Sequence, residues 1–319
     1  MQNNLIAITD LSVKEILKLF ELAYTIKSKS QRGIPYTPLK GKALAMIFHK
    51  PSTRTSVSFS VGMYQLGGLP LMFNAQDLQL RRGESYGDTA RVFSRYVHGI
   101  LIRTKDHDEL LEFSKHASIP VINGLTDEEH PCQVLSDYFT ILERKGWISS
   151  TGKVDYQELR KLKFVFLGDG SNNVANSLLL LSAMLGVTFV ICSPKGYVPS
   201  AKYMAEAKSI AASTGAKISV ENDVAKGVAG ADALYTDVWV SMGQEDEKKK
   251  RYRDLRPYQL NSKVMSRAAR GCLAMHCLPA RRGEEITSEV MDGKNSIIFD
   301  QAENRLHIQK AILVKLLTQ

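Results

Sequence analysis

The sequence lacks the features that mark several common protein classes. Four of its 319 residues are cysteine, and none belongs to a CxxC pair or a metal-finger spacing, which excludes a disulfide scaffold and a zinc finger. No apolar run approaches the roughly 20 residues of a membrane span. The GxxxxGK[ST] motif of P-loop proteins, the GxSxG elbow of serine hydrolases and a complete GxGxxG dinucleotide fingerprint are also missing. We therefore predict no cofactor, no metal and no membrane association.

The charge balance favours an ordinary solvated basic surface over a nucleic-acid interface, and part of the charge can attract a small anionic substrate. The formal net charge is +9, which by itself is compatible with a polyanionic partner. The densest basic run, 248–253, is flanked by acidic residues at 245–247 and 254, as in an ordinary solvated surface. The first eight residues lack a basic start and a long apolar stretch, so we expect a reduced, cytoplasmic setting.

An alternation of apolar runs and amphipathic segments predicts an α/β protein with two domains. We expect two doubly wound parallel-sheet domains with a cleft between them. The first spans 1–147, the second 148–300, and a C-terminal helix within 301–319 packs back on the first. Strands are predicted at 43–48, 69–73, 98–102, 119–122, 163–168, 188–192, 217–220, 232–236, 271–276 and 296–299. Helices are predicted at 54–66, 84–96, 107–116, 131–145, 173–186, 200–214, 222–229, 258–268 and 302–317, and a capping box at Ser12 to Glu15 starts an earlier one.

Polar side chains follow seven of the predicted strands. The segment Ser52 to Thr55, which has three hydroxyls and a guanidinium, stands between a strand and a helix, and such a helix N-terminus binds oxyanions. The other exits carry Arg103-Thr104, Asn123 to Gln133, Gly168 to Asn173, Asp237, His276 to Pro279, and Asp300 to Arg305. Ligands of parallel sheets bind beyond the carboxyl ends of the strands, so these exits predict one composite site.

Six of these motifs, in order over the whole chain, resemble the aspartate/ornithine transcarbamylase family. The segment 52–55, Arg103-Thr104 and His130 to Gln133 match its carbamoyl phosphate motifs. Asp237 to Gly243 matches a loop of the ornithine branch. His276 to Pro279 and Ala302 to Arg305 match two later motifs of the same branch. The resemblance implies carbamoyl transfer from carbamoyl phosphate to the δ-amine of L-ornithine, which belongs to arginine metabolism, and assembly as a homotrimer or a multiple of it.

The resemblance also implies roles for individual residues in this sequence. The reaction would depend on Arg54, Arg103, His130, Asp237 and Cys277. Carbamoyl phosphate would contact Ser52, Thr53, Arg54, Thr55, Gln79, Arg103, His130, Gln133, Cys277, Leu278 and Arg305. Ornithine would contact Asn173, Asp237, Ser241 and Met242.

Two departures from the family pattern stand next to the phosphate motif. Ser56 and Ser60 replace the usual Arg and Glu, so both partners of an i,i+4 ion pair are missing together; we interpret this as a lost structural pair. Arg81 is an additional basic residue without an assigned role. Two alternatives stay open, namely a sister enzyme that uses another amine such as putrescine, and a non-catalytic relative that binds a partner or nucleic acid.

Overall fold

The computed structural model describes residues 4–79, 83–240 and 245–318, and it divides into two compact units. Unit 1 consists of Met1–Phe139, Ile148–Val154 and Glu303–Gln319, and unit 2 consists of Thr140–Trp147 and Asp155–Ala302. Both units contain a parallel sheet with helices on both sides, which confirms the predicted fold class.

Unit 1 is built on a four-stranded parallel sheet. Its strands are β1 (Ala43–Phe48), β2 (Leu69–Asn74), β3 (Gly99–Arg103) and β4 (Val121–Leu125), in the order β2-β1-β3-β4. The strand order reverses between β1 and β3, and in open α/β sheets this switch point is where ligands bind. The residues that follow β1 and β3 are therefore placed together by the topology.

The helices of unit 1 cover both faces of that sheet. Val13–Gln31 begins with the predicted capping box, in which the Ser12 hydroxyl accepts from the Glu15 N–H and the Glu15 carboxylate accepts from the Ser12 N–H. Next come Thr53–Gln65, Tyr86–Tyr96, His107–His116, the start of Pro131–Lys145 and most of Ile298–Leu317; short 3₁₀ turns lie at Ile8–Asp10 and Ala75–Asp77. Apolar residues of β1, β3 and the helix His107–His116 form the core beneath them.

Unit 2 repeats the design with five parallel strands. They are β5 (Lys163–Leu167), β6 (Thr188–Cys192), β7 (Lys217–Glu221), β8 (Ala233–Thr236) and β9 (Leu273–His276), in the order β7-β6-β5-β8-β9. The switch point lies between β5 and β8. Residues after these two strands are thus neighbours, although about 70 positions separate them in sequence.

The helices of unit 2 differ greatly in length. Asn173–Leu185 is apolar around almost its whole circumference and is buried nearly throughout, as expected for a helix surrounded by protein. The others are Tyr156–Leu159, Ala201–Thr214, Val224–Val228, Lys248–Leu255, Ser262–Met265 and Ser288–Met291, with 3₁₀ turns at Glu245–Glu247 and Arg256–Tyr258.

The predicted strand at 296–299 is wrong. Ser296 makes one isolated bridge to Ala274, and the helix Ile298–Leu317 begins four residues earlier than predicted. The predicted helix 258–268 is also broken, into the 3₁₀ turn Arg256–Tyr258 and the single turn Ser262–Met265. Among the described residues, none of the helices combines the length and apolarity that crossing a membrane requires.

Candidate active site

The helix that follows β1 starts without the usual capping side chain. Ser52 occupies the N-cap position with an extended backbone (φ −149°, ψ 104°), and in the described structure its hydroxyl does not cap the first turn. The N–H groups at a helix start attract anions, and the helix dipole adds positive potential there. Ser52 and Thr53 therefore present hydroxyls beside an uncapped helix N-terminus.

Thr55 is the hub of a buried network in unit 1. Its hydroxyl oxygen accepts from Nη1 of Arg103 at 3.3 Å and from Nη2 of Arg305 at 3.2 Å. Arg305 also donates to Oε1 of Gln133 at 2.5 Å. Thr55, Gln133 and Arg305 are all buried. Four residues predicted from separate motifs are thus brought into direct contact.

His130 lies in the electrostatic field of three guanidinium groups. Burial lowers the pKa of this imidazole well below its ordinary value, and the charges of Arg305, Arg103 and Arg54 lower the pKa further. His130 is therefore neutral at pH 7. A neutral imidazole can donate one N–H to a carbonyl oxygen, and this imidazole does not change its charge near pH 7.

Two buried residues that sequence reasoning missed hold this network in place. Asp137 accepts from Nε2 of Gln133 at 2.8 Å, which directs the Gln133 carbonyl oxygen at Arg305. In the amide orientation that satisfies its neighbours, Gln309 accepts from Nε and Nη2 of Arg305 at 3.1 and 2.9 Å. Each lies four residues after the residue it contacts, on the same helical face.

The remaining predictions for unit 1 are less tightly joined. Arg54 is half-buried, and its charge acts on His130. Gln79 is exposed, and among the described residues its side chain makes no hydrogen bond to the Thr55 network. Arg81 lies outside the described residues. The hydroxyl of Ser56 donates to the Ser52 carbonyl at 2.5 Å, so the serine that replaces the family's arginine bonds its own helix.

Asp237 is the centre of the predicted residues in unit 2. One carboxylate oxygen accepts from the Cys277 thiol at 3.1 Å and from the Val238 N–H at 2.8 Å. The other accepts from Nδ2 of Asn172 at 3.4 Å. Burial raises the pKa of Asp237, and its neighbours His276 and Cys277 partly oppose that increase. The neighbouring Asn173 is half-buried at the first position of its helix.

A second buried pair positions the segment after β9. Nδ1 of His276 accepts from the Leu278 N–H at 2.8 Å, so its Nε2 carries the proton that is donated to Glu285 at 2.9 Å. Leu278 has φ +59°, a left-handed conformation that costs a non-glycine residue free energy. Neither His276 nor Glu285 was assigned a role from sequence, and together they stabilise this conformation.

Arg251 anchors the backbone that follows Asp237. This buried guanidinium donates to the Trp239 carbonyl at 2.6 Å and pairs with the buried Asp169. Trp239 also packs edge-on against Tyr252 at 5.7 Å between ring centroids. The backbone is thus held at Trp239. Ser241 and Met242, two of the predicted ornithine contacts, lie outside the described residues.

Among the described residues, Asp237, His276 and Cys277 form a group whose side chains have the donor atoms that metal ions bind. Their candidate ligand atoms all lie within 4.8 Å of one another. Both ring nitrogens of His276 are already engaged, by the Leu278 N–H and by Glu285. Coordination through His276 would therefore break one of these hydrogen bonds.

Comparison with known proteins assigns the chain to a family. Residues 3–143 match the family model "Aspartate/ornithine carbamoyltransferase, carbamoyl-P binding domain", and residues 160–316 match "Aspartate/ornithine carbamoyltransferase, Asp/Orn binding domain". The chain belongs to the aspartate/ornithine carbamoyltransferase family.

Similar relatives of this chain within that family are named ornithine carbamoyltransferase. The chain is 49% identical to ornithine carbamoyltransferase of Methanocorpusculum labreanum over 319 residues, which cover 100% of this chain and 99% of that protein. It is 51% identical to that of Anoxybacillus flavithermus over 98% of this chain and 96% of that protein. The solved structure of ornithine carbamoyltransferase from Pyrococcus furiosus matches with a TM-score of 0.92 and 48% identity, covering 99% of this chain and 97% of that one.

Proposed function

We propose that this protein transfers the carbamoyl group of carbamoyl phosphate to the δ-amine of L-ornithine, which gives L-citrulline and phosphate. The observation that carries the proposal is the buried Thr55 hydroxyl between Arg103 and Arg305, with a neutral His130 beside them. The full-length relatives named ornithine carbamoyltransferase support the choice of amine. The product belongs to arginine metabolism.

Unit 1 has the groups that carbamoyl phosphate requires. Ser52, Thr53 and the uncapped helix start provide donors for the phosphate, and Arg54 faces the charge that builds on the leaving group. Guanidiniums that now meet at Thr55 can turn to the ligand's oxygens. Arg103, His130 and Thr55 then polarise the carbamoyl carbonyl, and preorganised donors of this kind stabilise a developing oxyanion. Gln133 accepts from the carbamoyl NH₂ group. Gln79 and the Leu278 backbone are assigned further contacts.

Unit 2 has the groups that an α-amino acid requires. We assign the ornithine α-carboxylate to Asn173 and the α-ammonium to Asp237, with further contacts from Ser241 and Met242. Asp237 is buried and its described hydrogen-bond donors are neutral, so an arriving ammonium group gives this carboxylate a partner of opposite charge. That pairing favours the ionised carboxylate, since an opposite charge at short range lowers a carboxyl pKa.

The reacting amine must lose a proton before it attacks. An alkyl ammonium has a pKa near 10.4, and its protonated form has no lone pair for the carbamoyl carbon. Cys277 and Asp237 are placed to relay that proton: as the ammonium proton passes to Sγ of Cys277, the thiol proton passes to the Asp237 carboxylate to which it already donates. The leaving phosphate can accept the proton released later from the tetrahedral intermediate.

A parallel assay of amines tests the proposal. Purified protein is given carbamoyl phosphate with ornithine, putrescine or aspartate, and the carbamoylated product is measured colorimetrically. We expect ornithine to exceed putrescine by a few hundred-fold in kcat/KM, because putrescine leaves Asn173 and Asp237 without partners at about 1–3 kcal/mol each. A preference for putrescine would identify the sister enzyme, and no turnover with any amine would contradict the proposal.

We further propose that the chain assembles as a homotrimer through unit 1. Val57, Val61 and Tyr64 recur on one face of the helix Thr53–Gln65 and are 55%, 36% and 76% exposed. Leu69 and Met72 add exposed apolar area on β2, which is an edge strand. Exposed apolar patches of this kind mark association surfaces. Light scattering should give three chains for the wild type and fewer for Tyr64→Asp, whereas Val198→Asp in unit 2 should leave the mass unchanged.

A further inference from the structure

A cavity in unit 1 lies beside the C-terminal end of the helix Thr53–Gln65, which carries Thr55 near its start, and against Lys310 in the middle of the helix that carries Arg305. Its volume is about 230 Å³, which is below the roughly 300–1,000 Å³ of pockets for drug-sized ligands. The lining includes Lys29 and Ser30 from the first helix, Tyr36, Gln65 and Lys310. Neither the Thr55 network nor the Asp237 cluster contributes to this lining.

Lys310 is an unusual lining residue because its side chain is almost fully buried. It is 2% exposed, and its ammonium donates to Oε1 of Gln65 at 2.8 Å. Within the described ranges, no carboxylate oxygen lies within 4.0 Å of that ammonium. Buried charges are normally paired with an opposite charge, and here the partner is a neutral amide.

The packing of the two helices directs Lys310 toward the cavity. A Cβ atom at Gly62 would meet Cγ of Lys310 at 3.2 Å and Cδ1 of Leu306 at 3.5 Å. The glycine therefore leaves room for the Lys310 stem to cross the helix Thr53–Gln65 and to end beside Gln65, at the helix terminus. The contact between the two helices thus determines where the Lys310 ammonium lies.

A second cation without a described carboxylate partner stands at the same cavity. The Lys29 ammonium lies 4.4 Å from the centroid of the Tyr36 ring, and no ion pair of Lys29 is found among the described residues. A cation above an aromatic face is held weakly at an exposed site, so Lys29 can move to a better partner. Lys29, Ser30, Gln65 and Lys310 thus line one small, partly apolar space.

We propose that this cavity is a binding site for a small anion, either a phosphate- or sulfate-like group or a carboxylate, separate from the substrate site. The anion provides the opposite charge that Lys310 lacks among its described neighbours. The Lys29 ammonium then moves from the Tyr36 ring to contact the same anion. Burial also lowers the pKa of Lys310, and a bound anion opposes that shift by stabilising the protonated form.

Calorimetric titration of the full-length protein with sulfate at constant ionic strength tests this site. Because the substrate site also binds a tetrahedral dianion, we expect two sulfate ions per chain for the wild type. Lys29→Met and Lys310→Met should each weaken one of the two by at least tenfold and leave the other unchanged. Lys18→Met, which removes an exposed lysine from the same helix, is the matched control. Acetate and succinate titrations distinguish a carboxylate ligand from a sulfate- or phosphate-like one.

Combining these variants with Arg54→Ala separates this proposal from the proposed function. Arg54→Ala alone should keep the cavity ion and lose the other, and Arg54→Ala with Lys310→Met should bind neither. If both lysine variants bind all three anions as the wild type does, the cavity site is refuted. If Arg54→Ala changes nothing while Lys310→Met loses one ion, the cavity site stands and the assigned phosphate site fails. Thermal unfolding of each variant verifies that it is folded.

Discussion

Arg305 and Thr55 are 250 positions apart in sequence, yet Nη2 of the guanidinium lies 3.2 Å from the threonine hydroxyl. The same oxygen also accepts from Arg103. A small hydroxyl between two guanidiniums keeps these like charges close together and aimed at the same space. This arrangement holds positive charge in place before any oxyanion arrives, as preorganised oxyanion sites do.

Removing the Thr55 hydroxyl should weaken carbamoyl phosphate binding. Thr55→Val keeps the shape but leaves both guanidiniums without their shared acceptor, so we expect the KM for carbamoyl phosphate to rise about tenfold or more, since a hydrogen bond to a charged group contributes roughly 1.5–3 kcal/mol. Thr55→Ser retains the hydroxyl and should stay near the wild type. Steady-state kinetics with each substrate varied in turn measures the effect, and an unchanged KM in Thr55→Val contradicts the hub role.

Arg54 should act on turnover in addition to holding the phosphate. We assign its guanidinium to the bridging oxygen, whose negative charge grows as the carbamoyl–phosphate bond breaks, so Arg54→Ala should lower kcat by about 100- to 1,000-fold. Arg32→Ala, on an exposed cap of the first helix, is a control for loss of one positive charge. A folded Arg54→Ala variant with near-wild-type kcat would sink this assignment.

Asp237 should matter to ornithine and not to carbamoyl phosphate. Asp237→Asn keeps the size but removes the charge, and we expect kcat/KM for ornithine to fall about 10- to 100-fold or more, because a charged hydrogen bond is lost. Calorimetry on the same variant should give wild-type affinity for carbamoyl phosphate, whose assigned groups are mostly in unit 1. Equal losses for both ligands, or no loss for either, would refute this division.

Glu285 should be a positioning residue that acts through His276. Glu285→Ala leaves the buried Nε2–H of His276 without its acceptor, a cost of about 1–3 kcal/mol, and releases the Leu278 backbone. We expect kcat to fall with both KM values nearly unchanged. Glu285→Gln can still accept from His276 and from the Arg281 N–H that Glu285 now binds, so it should recover most of the activity. Equal defects in the two variants would contradict this positioning role.

His307 should make the protein sensitive to acid. Burial, with Lys310 and Lys27 nearby, lowers the pKa of His307 to about 3, whereas an unfolded chain has a histidine pKa near 6.5. Between these values the unfolded state binds one more proton, so the free energy of unfolding decreases as the pH falls, by up to about 1.4 kcal/mol per pH unit. His130 contributes in the same direction.

Urea unfolding between pH 4 and 7 measures this slope. His307→Gln should flatten the dependence by about one proton. An identical slope in wild type and His307→Gln would show that the burial of His307 has no thermodynamic consequence for acid stability.

Much of the fold and part of the site follow from patterns that are local in sequence. Alternating apolar runs predicted the strands from β1 to β9, because period-2 and uniformly apolar segments bounded by turns suit a buried parallel sheet. The exits after β1 and β3 were predicted to share a site, and Thr55 and Arg103 are indeed in contact. The assigned substrate contacts stay predictions until ligands are tested.

Other features depended on contacts that no local pattern carries. The apolar trio Ile297, Ile298 and Phe299 suits a strand or a helix, and the packing of Ile298 into the core of unit 2 decides for a helix. Asp137, Gln309 and Glu285 look like ordinary polar residues until their partners are placed around them. The i,i+4 spacing from Gln133 to Asp137 and from Arg305 to Gln309 was the available signal, and it is too common to identify a site by itself.

The helix Ile298–Leu317 has a consequence for how the protein is made. Residues from Glu303 onward belong to unit 1, but they leave the ribosome after all of unit 2 has been synthesised. Domains usually fold in the order of synthesis. Here unit 1 lacks two of its residues, Arg305 and Leu317, until unit 2 has been translated. The side chain of Leu317 lies against Gly99 in the core of unit 1. The nascent chain can therefore complete its second core before its first, and Arg305 can reach Thr55 only after unit 2 has been synthesised.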